Sequence, residues 1–310
     1  MAICLAACAP PPNAATSTIA TPTLAAARPT VASPNNTVTN AVSFDRIPNF
    51  ESSHLANSRT LTIVLPPGYR SAAEAHTRYK TLYLNDGQDL EALRLAEILE
   101  RLYAAGTIER LIVVAVPTNA DRLQEYGIAA TPDYKARGSK AAAYTRFLLD
   151  EVMPVINARY RTASGAENTA ILGASLGGLS AFDIGWNHPD RFGRVGVFSG
   201  SFWWRTQSNS VEEMQASRIA HAMVKASPLT TARRDLNFWF QTGSEDETDD
   251  RDQNGVIDAI QDTTELIDAL QARGFRPGRD IQYVEVPGGR HDPVTWAGVM
   301  DVFLRWAVGR

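Results

Sequence analysis

The spacing of hydrophobic residues changes repeatedly between the period of a strand and that of a helix from Val42 onward. Short runs of alternating or wholly apolar residues, bounded by Gly, Pro, Asn or Asp, predict strands. These strands are predicted at residues 60–65, 80–84, 111–116, 169–172, 194–198, 236–241 and 281–286. Apolar residues at helical spacing predict helices at residues 90–103, 141–156, 179–186, 262–272 and 293–307, and Pro154 is expected to kink the second of them or to fall in a late first turn.

This alternation predicts an α/β fold, in which a mostly parallel central sheet carries helices on both faces. The wholly apolar run 111–116 is typical of a central parallel strand, and one or two antiparallel strands are expected at the start of the domain. We assign residues 41–310 to this domain. Residues 1–40 are predicted to be a lipoprotein-like N-terminus followed by a flexible linker rich in Pro, Ala and Thr.

The two cysteines of the chain, Cys4 and Cys8, lie within its first ten residues. Leu5-Ala-Ala-Cys8 has the small-residue pattern that precedes the lipidated cysteine of bacterial lipoproteins. The basic segment and longer apolar segment of a signal peptide are missing, and an accidental match in an Ala-rich segment is the alternative. The pattern predicts a bacterial protein outside the cytoplasm, either secreted or anchored to the membrane through Cys8.

Composition excludes some classes of partner. The net charge of −4 gives no electrostatic reason to expect nucleic acid as a partner. The sequence has no run of about 18 apolar residues, the length that would span a membrane.

The segment Gly173-Ala-Ser-Leu-Gly-Gly178 lies between a predicted strand and a predicted helix. A G-x-S-x-G pattern in this setting is typical of a nucleophile elbow, where glycines permit a sharp turn and the serine hydroxyl is exposed at the sheet edge. The alternative is an ordinary Gly-rich turn. The context favours Ser175 as a catalytic nucleophile.

An elbow serine needs a base and an acid, which follow it along the chain in the order acid, then histidine. Of the five histidines, His291 leaves room for an acid-bearing strand after Ser175, and it is predicted to lie in a loop after the last strand. The acidic loop after the strand 236–241 contains three carboxylates. We choose Asp246, three residues after the glycine that ends the strand, and Glu245 and Glu247 remain alternatives.

An oxyanion hole requires two backbone N–H groups directed at the developing alkoxide. One is expected from Leu176, the residue after the nucleophile, and the other from Gln88 in the loop after an early strand. A simple Asp-Gly turn at residues 86–87 is compatible with this role.

A second acidic segment resembles a calcium-binding loop of the EF-hand type, although its twelfth position is Gln261 rather than glutamate. A merely acidic loop is the alternative. If calcium binds, its role is structural and its ligands are Asp250, Asp252, Asn254, Val256, Asp258 and Asp262.

Seven segments together resemble the bacterial esterase family of α/β-hydrolases that includes enterochelin esterase and esterase D. They are Leu65-Pro-Pro-Gly-Tyr69, Leu82-Tyr-Leu-Asn-Asp-Gly-Gln88, Arg122-Leu-Gln-Glu-Tyr126, Gly173-Ala-Ser-Leu-Gly-Gly178, His188-Pro-Asp-Arg-Phe-Gly193, Phe198-Ser-Gly-Ser-Phe-Trp-Trp204 and Arg290-His291. The resemblance covers residues 44–308. It implies an α/β-hydrolase fold, Ser175 as nucleophile, His291 as base and Asp246 as acid.

The resemblance implies a serine-dependent carboxylic ester hydrolase that works through an acyl-enzyme without a cofactor. Its expected substrate is a small-molecule or polysaccharide-linked ester. Trp203 and Trp204 are candidates for a substrate wall or for core packing, and Arg122 and Glu125 either orient an acyl or phenolic group or pair with each other. Two alternatives are an acyltransferase with the same triad and a non-catalytic, calcium-stabilised surface binding protein.

Overall fold

Eight strands form one sheet within residues 41–309, the part of the chain that the computed structural model describes. They are β1 (Ser43–Ser52), β2 (Asn57–Leu65), β3 (Lys80–Asn85), β4 (Leu111–Val116), β5 (Thr169–Ala174), β6 (Arg194–Phe198), β7 (Asn237–Glu245) and β8 (Ile281–Arg290). Their order across the sheet is β1-β2-β4-β3-β5-β6-β7-β8. The pairs β1/β2 and β2/β4 are antiparallel and all the others are parallel, which confirms the predicted mostly parallel sheet.

Helices cover both faces of this sheet, as predicted. They are α1 (Leu95–Ala104), α2 (Arg122–Glu125), α3 (Ala141–Arg146), α4 (Met153–Arg159), α5 (Leu176–Asn187), α6 (Val211–Ala216), α7 (Ile219–Ala226), α8 (Thr231–Arg234), α9 (Asp258–Ala272) and α10 (Pro293–Val308). Successive residues of β4 belong to different cores. Leu111 and Val113 belong to the hydrophobic cluster that includes residues of α1 and α10, whereas Ile112 and Val114 belong to the cluster on the other face of the sheet. The wholly apolar sequence of β4 predicted such a buried central strand.

Two predicted helices have different limits in the structure. The helix expected at residues 90–103 begins at Leu95, because Arg94 has a left-handed backbone (φ 51°) that a continuous helix cannot include. The helix expected at residues 141–156 contains a π-helical turn, Phe147–Val152, between α3 and α4. Pro154 follows that turn and has no N–H to donate, so the local hydrogen-bond pattern must change there, as its position predicted.

The segment 286–290, expected to be a loop, is instead the end of strand β8. It pairs with an equally extended β7, where Glu245 lies opposite Arg290 after a bulge. The two strands approach closely at Gly243 and Gly289, since a Cβ on Gly243 would lie 2.2 Å from the Gly289 carbonyl oxygen. His291 therefore directly follows a strand instead of lying in a long loop.

Residues 1–40, with the predicted lipid attachment at Cys8, lie outside the described residues, and the anchor and the extracytoplasmic location stay predictions. Within residues 41–309, no helix combines the length and the hydrophobicity needed to cross a membrane.

Candidate active site

Ser175 lies at a sharp turn between β5 and α5, with φ 56° and ψ −125°. This backbone conformation is rare for a residue with a side chain and is held by neighbouring contacts. The Ser175 N–H donates to the Phe198 carbonyl at 2.9 Å, and a Cβ on Gly173 would lie 2.1 Å from the Gly177 oxygen. The strand, turn and helix expected around the G-x-S-x-G pattern are therefore present, and the glycines are required by close backbone contacts.

Asp246 and His291 face each other at the same edge of the sheet as Ser175. All three residues are at or just beyond the carboxyl ends of parallel strands, β5, β7 and β8. The distance from His291 Nδ1 to Asp246 Oδ1 is 4.0 Å. The Asp246 side chain is completely buried, whereas that of His291 is 41% exposed. This arrangement allows the carboxylate to orient the imidazole while the ring remains open to a ligand.

Burial changes the proton affinities of both members of this pair. It lowers the pKa of His291 below its ordinary 6.5, with the Arg122 cation acting in the same direction and the Asp246 charge opposing it. Burial raises the pKa of Asp246, and the hydrogen bonds from Gly243 and Ser199 oppose that rise. A neutral imidazole beside a hydrogen-bonded carboxylate is the state that a general base requires.

The two rival carboxylates have different surroundings. Glu245 is 56% exposed and forms an ion pair with Arg290 at 3.2 Å. Burial and the nearby charges of Asp258 and Asp249 raise the pKa of Glu247 to about 7. Of the three carboxylates, Asp246 is the one that forms a close pair with His291.

The two predicted oxyanion donors lie at the start of α5 and in a short turn after β3. Gln88 lies in the 3₁₀ turn Gly87–Asp89, and a Cβ on Gly87 would be 2.5 Å from the carbonyl carbon of Ala115. The neighbouring Asn85 donates through Nδ2 to the Gly177 oxygen at 2.8 Å, which ties this turn to α5. Within residues 41–309, the N–H groups of Leu176 and Gln88 donate to no protein acceptor, so both can donate a hydrogen bond to an oxyanion.

Arg122 lies beside this turn and pairs with Asp86. Its Nε and Nη2 donate to the two oxygens of that carboxylate at 2.7 and 2.8 Å. Thr118 Oγ1 and Gln88 Nε2 also donate to Asp86, at 3.0 and 2.9 Å. The expected pairing of Arg122 with Glu125 is therefore wrong. The Arg122 side chain is 31% exposed, so it is available to a ligand next to the oxyanion turn.

Glu125 does not reach the site. Its side chain is fully buried, and its oxygens accept hydrogen bonds from Arg59 at 2.9 and 3.0 Å and from Asn57 at 2.9 Å. Because both oxygens are engaged and no surface is exposed, the prediction that Glu125 contacts substrate is wrong. Its role in the structure is to join α2 to strand β2.

The two tryptophans after β6 differ in exposure. Trp204 is fully buried, and the backbones of Gly127 and Gly138 pack against its ring, so the core-packing interpretation is correct for it. Trp203 is partly exposed and lines a cavity of about 530 Å³. The other residues that line this cavity are mostly charged and include Arg205 and Glu247. Trp203 therefore remains a candidate for substrate contact.

The segment expected to bind calcium is organised around an arginine. Arg251 forms ion pairs with Asp258 and Asp262, and Asp262 also pairs with Arg218. Asp250 accepts hydrogen bonds from the backbone of Asn254 and Gly255, and Asp252 accepts them from Gln215 and Gln261. No group of three or more carboxylate, His or Cys side chains in the described part of the chain converges as metal ligands would. The calcium site expected at residues 250–262, which includes the carbonyl of Val256, does not fit this arrangement.

We expect Arg251→Met to destabilise the fold by about 3 kcal/mol, because it leaves the buried carboxylates of Asp258 and Asp262 without one of their cations. We expect EDTA to leave the melting temperature of the unaltered protein unchanged. Thermal unfolding with and without chelator measures both effects. If EDTA lowered the melting temperature and added calcium raised it again, this account would be contradicted and the calcium-binding interpretation of the loop would be supported.

Two residues that contact Asp246 and His291, respectively, were not identified as site residues from the sequence. Ser199 donates to Asp246 Oδ1 at 3.0 Å, and Trp296 packs its ring edge against His291 with centroids 5.4 Å apart. Ser199 lies in the Phe198–Trp204 segment, but no local pattern indicates that its hydroxyl meets a carboxylate 47 residues later.

Comparisons with known proteins concern the family and the fold of the chain. The family described as "Putative esterase" matches residues 52–307. YbbA of Bacillus subtilis, described as uncharacterized, is 24% identical over 264 residues, which are 84% of this chain and 96% of that protein. A solved ferulic acid esterase has a TM-score of 0.64 at 20% identity and covers 86% of this chain and 98% of its own. The enterobactin esterase of Shigella flexneri, solved with enterobactin, has a TM-score of 0.66 at 20% identity over 86% of this chain and 58% of its own. The likeness to the two structures concerns the fold.

Proposed function

Since the chain belongs to this esterase family of α/β-hydrolases and is a carboxylic ester hydrolase, we propose that it cleaves esters with a Ser175–His291–Asp246 triad. The observation that carries the proposal is the Asp246–His291 pair, which lies at the edge of the sheet where the elbow presents Ser175. The strained backbone at Ser175 supports it, because such conformations persist where the surrounding structure enforces them.

In the proposed reaction, Ser175 Oγ attacks the ester carbonyl carbon while His291 takes the hydroxyl proton. His291 returns that proton to the departing alcohol as the carbon–oxygen bond breaks, which leaves an acyl group on Ser175. A water molecule then attacks the acyl carbonyl, with its proton going to His291 and then to Ser175 as the carboxylic acid leaves. Asp246 remains ionised and stabilises the imidazolium that forms in both halves.

The amides of Leu176 and Gln88 are proposed to hold the oxyanion of both tetrahedral intermediates. Their support is positional: one follows the nucleophile at the start of α5, and the other lies in a turn that Asn85 fixes against that helix. Arg122 is proposed to contact the substrate beside this turn, because Asp86 holds one edge of its guanidinium and a third of the side chain stays exposed.

Relatives of similar fold include a ferulic acid esterase and an enterobactin esterase, whose names indicate aromatic acyl esters and a siderophore lactone. We propose a small-molecule or polysaccharide-linked ester as substrate for this chain. The cavity next to Trp203 is lined mostly by charged residues, together with Tyr134 and Met214. It suits a polar part of the ester better than a long hydrocarbon chain, since burying unpaired charges against hydrocarbon is costly.

We expect the acid limb of kcat/KM to have its midpoint below pH 6.5. The base must be neutral, burial lowers the pKa of His291, and activity should therefore rise as pH increases through that lowered value. Hydrolysis of p-nitrophenyl acetate between pH 4 and 9 measures the limb. A midpoint clearly above 6.5 would contradict the lowered pKa of His291.

A fluorophosphonate probe tests the proposed function directly, because it labels an activated serine and leaves an unactivated one unmodified. We expect a single adduct, located on Ser175 by peptide mass spectrometry, and loss of ester hydrolysis in proportion to labelling. Product analysis with an added alcohol separates hydrolysis from acyl transfer, since a transferase would form a new ester in place of the free acid. Labelling at another serine, or none, would refute the triad.

A further inference from the structure

A series of buried hydrogen bonds joins Trp296 to the Asp246 carboxylate through Ser199. The indole Nε1–H of Trp296 donates to Ser199 Oγ at 2.9 Å, and Ser199 Oγ donates to Asp246 Oδ1 at 3.0 Å. The second carboxylate oxygen, Oδ2, accepts from the Gly243 N–H at 3.0 Å. Ser199, Trp296 and Asp246 are all buried, so water does not compete for these bonds.

The chemistry of the three groups fixes the direction of this series of hydrogen bonds. An indole N–H can only donate, so the Ser199 oxygen must accept from Trp296 and its own proton is left for the carboxylate. A hydroxyl with this orientation stabilises the ionised form of Asp246 and not the protonated form. The same oxygen, Oδ1, is the one that lies 4.0 Å from His291 Nδ1.

Trp296 acts on both partners of the Asp246–His291 pair, on Asp246 through Ser199 and on His291 by direct contact. Its N–H supports Asp246 through Ser199, and its ring packs edge-on against the imidazole at an interplanar angle of 80°. It lies in the first turn of α10, which begins two residues after His291. One side chain therefore links the orientation of the base to that of the acid.

The segment 198–201 also sets the distance between nucleophile and acid. The Phe198 carbonyl accepts from the Ser175 N–H, and the Ser201 N–H donates to the Ser175 carbonyl at 3.2 Å. Between them, Ser199 has a left-handed backbone (φ 46°), and its N–H donates to the Gln241 carbonyl of β7 at 2.7 Å. Such a conformation is unfavourable for serine, by about 1–2 kcal/mol, and is held here by bonds to both flanking strands.

We infer that Ser199 is a positioning residue of the active site: its hydroxyl, itself oriented by Trp296, keeps Asp246 ionised and directed at His291. The inference rests on the proposed triad. Ser199 does not touch the substrate. It acts through Asp246, so its loss should change the protonation of the pair as well as the turnover.

The test compares Ser199→Ala with Ser199→Gly. Both remove the hydroxyl, but glycine tolerates the left-handed backbone and alanine does not, so the glycine variant should melt at the higher temperature. We expect kcat to fall about 10- to 100-fold in both variants, with little change in KM. A fall of this size corresponds to the loss of one hydrogen bond to a charged group. The acid limb of kcat/KM, which follows the titration of His291, should move to higher pH by about one unit, because an Asp246 carboxylate that has lost a donor stabilises the imidazolium more strongly and raises the pKa of His291.

Trp296→Phe supplies a second measurement, since it removes the N–H but keeps an aromatic edge beside His291. We expect a smaller fall in kcat, about 3- to 10-fold, with a shift of the acid limb in the same direction. Trp306→Phe is the matched control, because Trp306 also lies on α10 and packs against Phe303 away from this series of bonds. It should retain the parental kcat and acid limb.

A parental kcat in Ser199→Gly would overturn the inference. A loss of activity without a shift of the acid limb would also overturn it, because it would indicate a purely structural role for Ser199. Ser175→Ala, assayed in parallel, distinguishes this failure from that of the triad. If Ser175→Ala keeps parental turnover, the proposed function fails and the inference about Ser199 with it. If Ser175→Ala is inactive while Ser199→Gly is unaffected, the inference alone fails.

Discussion

Ser175→Ala is expected to lower kcat for ester hydrolysis by roughly 10⁴- to 10⁶-fold and to abolish fluorophosphonate labelling. The loss is large because the substitution removes the atom that forms the acyl-enzyme, so His291 and Asp246 are left with no hydroxyl to activate. The oxyanion donors at Leu176 and Gln88 would remain and would account for residual activity. Turnover of p-nitrophenyl acetate by purified protein measures the effect.

The matched control is Ser164→Ala, an exposed serine in the segment before the amino end of β5, at the sheet edge opposite Ser175. It should keep parental turnover and labelling. Turnover within tenfold of the parent in Ser175→Ala would refute the triad, because no catalytic route through the elbow would then be needed.

The melting temperature provides a second measurement for substitutions at Ser175. Ser175 has φ 56° and ψ −125°, a conformation that costs a non-glycine residue about 1–3 kcal/mol. Alanine would have to adopt the same conformation, whereas glycine tolerates it. Ser175→Gly should therefore melt above Ser175→Ala while being equally inactive, which separates the backbone cost of the elbow from its chemistry.

The features that the sequence predicted well are local. The elbow needs a strand, a turn and a helix within about twenty residues, and each leaves its own pattern between Thr169 and Asn187. The run Leu111–Val116 is apolar on both faces because helices cover both faces of the sheet. In such segments the spacing of side chains determines both the element and its environment.

The predictions that failed depended on partners distant in sequence. Glu125 lies next to Arg122 in a charged segment, yet its partner is Arg59, 66 residues earlier in an antiparallel strand. The acidic segment has the spacing of calcium ligands, whereas Arg251 within it and Arg218, just before α7, pair with Asp262, an arrangement that favours the merely acidic loop. No local pattern specifies such pairings, because they arise only when the sheet brings separate segments together.

The choice among the three acidic residues is also a tertiary property. Glu245, Asp246 and Glu247 are adjacent, but β7 ends at Glu245, and a bend follows in which the Asp246 N–H donates to the Gly243 carbonyl at 3.3 Å. Glu245 turns to Arg290 at the surface, Glu247 lines the cavity beside Trp203, and Asp246 turns inward to His291. Which of the three side chains faces His291 therefore depends on this bend and on the register of β7 with β8.

Asp246→Asn is expected to lower kcat by about 10⁴-fold. The Gly243 N–H already donates to one carboxylate oxygen, so the asparagine carbonyl should take that place and its NH₂ should face Ser199 and His291. An NH₂ group beside Nδ1 favours the imidazole tautomer with its proton on Nε2, which cannot accept the proton of Ser175. The fold should be preserved, since the side chain keeps its size and its bond to Gly243.

Glu245→Gln and Glu247→Gln are the matched controls for Asp246→Asn, because each neutralises a neighbouring carboxylate without removing the partner of His291. Glu245→Gln should keep parental kcat, since an ion pair exposed on both sides contributes little. Glu247→Gln should change KM rather than kcat, because this carboxylate lies at the wall of the cavity beside Trp203. If Glu247→Gln instead lost about 10⁴-fold in kcat while Asp246→Asn retained turnover, Glu247 would be the acid, and the Asp246–His291 contact would be incidental.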